Sequence, residues 1–175
     1  MNIILKNIPN LLTCLNLIIG LLSISFSFQG NLAFGTILIF SGLFIDFFDG
    51  FFARLLNAYS EFGKQLDSLA DLVTFGIAPS IIIYQLINHK IFNEYILENL
   101  NKDFSVAYFA FIFPVFGAIR LAKFNLDTEQ NENFIGLPIP AAGIFLASLS
   151  FYDEKILTTH ILLLCLLTLS ILLVS

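Results

Sequence analysis

The chain reads as an all-α integral membrane protein, a six-transmembrane-helix bundle with a polar cavity facing the cytoplasm. Three observations lead there. Of its 175 residues 58% are hydrophobic and 12% charged, where a soluble domain carries about a quarter charged residues. A soluble core of this length could not hide that much apolar surface, 21 Phe included, so the solvent is lipid. The apolar residues fall in blocks near the length of a bilayer crossing, about 20 helical residues for about 30 Å of hydrocarbon. None of the blocks alternates as an outer-membrane barrel strand would, which leaves helices as the spanning structure.

Six blocks serve as spans: 11–28, 32–52, 66–87, 104–124, 137–152 and 156–174. The first follows Lys6 and could be confused with a secretory leader. It is long for one, and Ser25-Phe26-Ser27-Phe28 offers no small-x-small cleavage pattern, so it is taken as a retained helix. Gln29-Gly30-Asn31 makes a tight turn into the second block. A longer connection carrying Glu94, Glu98, Lys102 and Asp103 precedes the fourth, and the polar run 127–133 follows it. The fifth block is short and begins with Pro138 and Pro140. No linker, repeat or low-complexity tract divides the chain, so residues 1–175 are expected to form one domain.

Charge sets orientation and excludes some partners. With six spans, Lys6, Arg54, Lys64, Arg120 and Lys123 share one side, and Lys90, Lys102 and Lys155 the other. That bias places both termini and the second and fourth connections in the cytoplasm. A net charge of −5 with eight basic residues leaves no basic face for nucleic acid. Cys14 and Cys165, each inside an apolar block, read as small buried hydrophobes. His89 and His160 fall near the opposite side and read as interfacial residues without a catalytic part.

The informative residues are acids in the wrong solvent. Asp46 and Asp49 stand at i, i+3 near the cytoplasmic end of the second span, and Asp67 and Asp71 at i, i+4 near the start of the third. Each pair projects from one helix face, and a short turn makes the two helices antiparallel neighbours, so the faces can meet. One such Asp could be an idle, solvated helix-end residue. Four of them, with Gly50, Ala53 and Gly63 between, repel one another unless cations sit among them. Hard oxygen ligands suit Mg²⁺ or Mn²⁺, and four shared carboxylates could hold two ions. The small residues let backbones approach and leave room for a ligand.

Asp46-x-x-Asp49-Gly50-x-x-Ala53-Arg54, then Gly63-x-x-x-Asp67-x-x-x-Asp71, resembles the signature of the CDP-alcohol phosphatidyltransferases, with every fixed position present. The resemblance implies a six-helix membrane core and displacement of CMP from a CDP-linked lipid by an alcohol. It implies that Asp46, Asp49, Asp67 and Asp71 ligate two divalent cations, Mg²⁺ or Mn²⁺, and that Asp71 also takes the proton of the acceptor hydroxyl. Asp49, Gly50, Ala53, Arg54 and Gly63 would face the CDP-lipid. Arg54 has a donor fork suited to phosphate, and its plainer reading is an interfacial positive charge.

Further segments resemble the family's serine-using branch, the bacterial phosphatidylserine synthases: Ile8-Pro9-Asn10-Leu11-Leu12-Thr13, Asp67 through Pro79, Arg120-Leu-Ala-Lys123-Phe124-Asn125, and Phe134 through Ala142. That branch implies CDP-diacylglycerol and L-serine as substrates in the cell (inner) membrane, and family analogy implies a homodimer. Asn10 and Thr13 could reach the nucleotide or diphosphate, or simply cap the first helix after Pro9. Arg120 and Lys123, at i, i+3, could receive the acceptor carboxylate or snorkel at a helix end. Lys123 stands where the family often has Arg. Glycerol 3-phosphate or inositol phosphate, the alternative acceptors, bring a dianion that favours a denser basic pocket than this chain offers. A cation transporter would need polar residues through the bilayer midplane, whereas the outer halves of these spans are apolar. A lipid-binding scaffold would give no reason for four acids.

Overall fold

The computed structural model of the chain describes residues 7–92, 105–126, 136–153 and 156–175. The connection 93–104 and the whole polar run 127–133 lie outside them, as do Lys6, Lys102 and Lys155 of the charge count. Every described element is helical: α1 Ile8–Phe28, α2 Leu32–Leu55, α3 Glu61–Asp71, a π-helical segment Leu72–Ile77, α4 Ala78–Phe92, a 3₁₀ turn Val106–Phe111 leading into α5 Ile112–Leu126, α6 Ile139–Ser148 ending in a 3₁₀ turn Leu149–Phe151, and α7 Thr159–Val174. Four continuous helices are long and apolar enough to cross a membrane: Ile8–Phe28, Leu32–Leu55, Glu61–Ile91 and Val106–Leu126. The last two helices, Ile139–Phe151 and Thr159–Val174, are shorter than that. The expected span count of six is therefore met by length at four positions.

Turn chemistry sets the helix order. α1 ends in a Schellman motif: Asn31 N–H donates to Phe26 O at 3.0 Å and Gly30 N–H to Ser27 O at 3.1 Å, with Gly30 at φ +82°. The Asn31 side chain then caps α2 by accepting from Phe34 N–H. α2 ends the same way just past Arg54. Ala58 N–H reaches Ala53 O at 3.0 Å, and Asn57 takes the left-handed conformation at φ +46°, which Asn tolerates better than most residues. Ser60 next caps α3 through Gly63 N–H at 3.0 Å. Two stop-and-start signals in seven residues turn the chain back on itself and bring the two halves of the aspartate signature face to face.

Packing is that of a protein in lipid. The buried stripe of α1 is Pro9, Thr13, Asn16, Gly20, Ser23 and Ser27, whereas Leu11, Ile18 and Leu21 face outward. Small residues inside let backbones approach where no hydrophobic drive exists between helices. Ser23 Oγ donates to Gly35 O across to α2 at 2.8 Å. Cys14 is exposed on that outer surface and Cys165 half-buried, which corrects the expectation that both are buried. Cys14 follows Thr13 of the stripe by one residue, about 100° around the helix, and so faces lipid.

The long helix Glu61–Ile91 runs through the middle of the bundle and carries much of the core: Phe75, Ala78, Ile82, Ile83 and Ile87. It is not uniformly α-helical. Ala78 N–H reaches back to Val73 O, and Pro79, one residue on, has no N–H to offer the ladder. In the wider turn so formed, Thr74 wedges between α1 and α2, donating to Asn16 O at 3.0 Å. A Cβ on Gly20 would stand 2.5 Å from Thr74 Oγ1, and one on Gly42 2.7 Å from Thr74 Cγ2, so both positions are bare. On the other side Gly143 of α6 lies directly against the carbonyl of Phe75. Gly136 (φ +85°) and Leu137, whose N–H bonds Leu172 O at 2.9 Å, tie the approach to α6 onto the end of α7.

Candidate active site

The start of α1, the end of α2, the start of α3 and the end of α5 meet at one end of the bundle. There the side chains of Asp46, Asp49 and Asp67 each offer an oxygen such that all three atoms lie within 4.8 Å of one another. Asp49 is buried, the other two half-buried. Asp71 lies beside Asp46, at the edge of the trio. Thr13 Oγ1 lies 2.8 Å from Asp49 Oδ2 and 3.0 Å from Pro9 O, and its single proton is best spent on the carboxylate. Asp67 Oδ1 and Asp71 Oδ1 are buried with no hydrogen-bond partner among the described residues. Buried carboxylate oxygens facing one another unpaired are costly as protein alone and are natural ligands for a hard divalent cation. The donor set fits such an ion.

Beside the trio opens a cavity of about 490 Å³. Pro9, Asn10, Thr13, Asp49, Gly50, Ala53, Gly63 and Asp67 line it, with Tyr59, Ser60, Glu61 and Lys64 at its rim. The glycines make the room. A Cβ on Gly63 would stand 3.0 Å from Asn10 Oδ1 and from Ser60 Oγ, and one on Gly50 would meet only Arg54, at 3.7 Å. Asn10, Thr13, Gly50, Ala53 and Gly63 are thus gathered at one hollow although α1 supplies two of them, α2 two and α3 one.

Arg54 goes elsewhere. Its Nε donates to Gly50 O at 3.1 Å, and the exposed side chain lines a separate outer groove with Phe47, Phe51 and Leu55. Lys123 is exposed as well. Arg120 is half-buried, within electrostatic reach of Asp71. Its Nε is buried without a partner among the described residues.

The structure adds groups that the spacing of residues did not single out. Asn16, fully buried one turn below Thr13, has neither amide atom bonded among the described residues. Tyr59, Ser60 and Glu61 enter the cavity only because the Asn57 turn places the start of α3 over the start of α1. The Ser60-x-x-Gly63 cap was the one local signal for that placement.

Fold and site together define a membrane-embedded helical protein that holds a carboxylate cluster beside a ligand-sized cavity. The chain belongs to the CDP-alcohol phosphatidyltransferase family, whose model matches residues 6–172. It is 41% identical to a Bacillus subtilis (strain 168) CDP-diacylglycerol–serine O-phosphatidyltransferase over 86% of this chain and 78% of that protein. A Helicobacter pylori (strain J99) protein of the same name is 36% identical over 84% of this chain and 58% of its own length. An archaetidylserine synthase of Methanothermobacter thermautotrophicus is 34% identical over 84% of this chain and 60% of its own.

Proposed function

We propose that this protein transfers a phosphatidyl group from CDP-diacylglycerol to the hydroxyl of L-serine, giving phosphatidylserine and CMP. The observation that carries the proposal is the Asp46–Asp49–Asp67 cluster opening directly onto the cavity, in a chain similar to proteins named for that reaction. Asp46, Asp49, Asp67 and Asp71 would hold two divalent cations, Mg²⁺ or Mn²⁺. Such ions, when bound, supply positive charge where the diphosphate and the leaving phosphate are negative.

The cavity takes the cytidine diphosphate, with Asn10, Thr13, Gly50, Ala53 and Gly63 around it. Arg54, at the outer groove, meets the CDP-lipid from the membrane side. Arg120, with Lys123 nearer solvent, receives the carboxylate of serine. Asp71 accepts the proton of the serine hydroxyl as its oxygen bonds to the phosphorus that carries diacylglycerol. The phosphoanhydride bond to CMP breaks, and CMP leaves with the electron pair. The site faces the cytoplasm at the inner membrane, and the protein works as a homodimer.

The proposal is tested with purified protein, CDP-diacylglycerol, Mn²⁺ or Mg²⁺, and serine, glycerol 3-phosphate or inositol phosphate in parallel. Release of CMP with serine, lost on chelation, is the expected outcome; release with a phosphorylated polyol instead would replace serine as the acceptor. Thr13→Val, which removes the donor to Asp49, is expected to weaken activation by Mn²⁺ roughly 10- to 100-fold, as loss of a ligand's orienting partner does. Thr13→Ser should retain it. A flat Mn²⁺ response across the three proteins would show that Thr13 does not orient a ligand.

Sidedness is tested separately. With Cys14 and Cys165 replaced, a cysteine at Tyr59 should react with an impermeant thiol reagent from the cytoplasmic side, and one at Tyr152 from the opposite side. Reversed labelling would turn the protein over in the membrane.

A further inference from the structure

One turn deeper in the bundle than the carboxylate cluster, and outside the cavity lining, lies the buried amide of Asn16. The Thr13–Asp49 contact and the Ser23–Gly35 bond, each 2.8 Å, fix α1 and α2 as an antiparallel pair in which Asn16 falls opposite the turn from Gly42 to Asp46. Its side chain occupies that place: a Cβ on Gly42 would stand 2.9 Å from Asn16 Oδ1. From α3's continuation, Thr74 Oγ1 donates to the Asn16 carbonyl at 3.0 Å. Gly42 is four residues from Asp46, and Thr74 three from Asp71. Each of these neighbours of Asn16 therefore lies about one turn below an aspartate of the cluster, and those two aspartates lie side by side. Asn16 is fully buried, and neither of its amide atoms has a partner among the described residues. Asp71 Oδ1 is a buried acceptor equally without one.

An unpaired buried amide costs stability that an apolar side chain in its place would not, and Gly42 stays bare to seat this one. We infer that Asn16 is a positioning residue of the metal site: through one bound water its Nδ2 donates to the Asp46–Asp71 carboxylates from below and keeps their other lone pairs aimed at the cations. The spacing suits a bridge. One helical turn rises about 5.4 Å, close to the reach of two hydrogen bonds of about 2.8 Å in series. The water accepts from the amide and donates to a carboxylate, so it has polar partners on both sides. Thr13 does the same work directly for Asp49, one turn above. α1 thus orients the cluster from two successive turns of its buried stripe. The inference rests on the cluster holding divalent cations, as proposed above.

The test uses the full-length protein in detergent with Mn²⁺ as the probe and no substrate. Mn²⁺ affinity is read by electron paramagnetic resonance, and the unfolding midpoint is measured in the presence of chelator. Asn16→Ala should weaken Mn²⁺ binding roughly 10- to 100-fold, as loss of an orienting partner does. Its metal-free midpoint should equal or exceed that of the wild type, because the substitution removes an unpaired buried amide. Asn16→Ser keeps a donor for the water and should bind Mn²⁺ at least about threefold more tightly than Asn16→Ala. A packing role predicts the reverse pattern. Mn²⁺ affinity of Asn16→Ala within about twofold of the wild type, a lowered metal-free midpoint, or a serine variant no better than the alanine one would each overturn the inference. A wild-type protein that binds no Mn²⁺ would instead overturn the metal assignment itself, before any variant is compared.

Discussion

Asp67→Asn should lower turnover at least about 1000-fold, equivalent to about 4 kcal/mol of transition-state stabilisation, with the protein still inserted and folded. Asparagine keeps the shape of the side chain and one oxygen. It removes the charge that lets this position hold a cation, and Asp67 Oδ1 is one of two buried carboxylate oxygens with no partner among the described residues. Asp46→Asn and Asp49→Asn should cost as much, because their oxygens lie with that of Asp67 inside 4.8 Å and one charge fewer weakens the whole cluster. Asp71→Asn should be equally damaging for a second reason, since it leaves the hydroxyl proton without an acceptor. The measurement is turnover at increasing Mn²⁺, beside Mn²⁺ bound per protein by electron paramagnetic resonance. Near wild-type turnover for a variant at Asp46 or Asp67 would remove the metal assignment.

Gly143→Ala is expected to destabilise the bundle by about 1–3 kcal/mol, the usual cost of overpacking, and to lower turnover with it. The new Cβ would drive into the carbonyl of Phe75, and the carbonyl carbon would stand only 2.9 Å away. These are backbone atoms, which cannot rotate out of the way. α6 must back off, or the π segment must move, and Asp71 is the residue from which that segment starts. A lower unfolding midpoint in detergent, with reduced turnover, is the expected result. For the unfolding midpoint alone Gly50→Ala is the contrast, since its Cβ meets only the end of a flexible Arg54 at 3.7 Å. Equal midpoints for Gly143→Ala and wild type would show that α6 does not lock the segment.

The aspartate spacing was legible from residues alone because helical periodicity converts i, i+3 and i, i+4 directly into a shared face. The Gln29-Gly30-Asn31 turn was legible for a similar reason: a Gly at the left-handed position is a local demand. Less visible was the turn at Asn57, where a non-glycine residue takes that conformation, so the carriage of Tyr59 and Ser60 to the cavity rim could not be anticipated. The π turn was hidden too. Pro79 announces a lost donor, but whether the helix bends, breaks or widens depends on Thr74 finding the space beside Gly20 and Gly42 on other helices.

Side-chain direction on an exposed surface was the other gap. Arg54 belongs to the signature by position, and nothing in its spacing tells whether it turns into the cavity or out toward Phe47 and Phe51. Cys14 shows the same effect, since an apolar block in lipid has an outward face as apolar as its inward one. Asn125 is tied to Ser68 and Gln65 of α3, and those contacts cross about 60 positions of sequence.

The central claim is that a serine hydroxyl oxygen displaces CMP at phosphorus beside this carboxylate cluster. It is tested most directly by one labelling measurement: L-serine carrying ¹⁸O in its side chain, incubated with the purified protein, CDP-diacylglycerol and Mn²⁺, with both products weighed by mass spectrometry. The predicted result is phosphatidylserine that retains the ¹⁸O and an unlabelled CMP released in equal amount. CMP formed without labelled lipid, or a lipid product from which the label is missing, would contradict it.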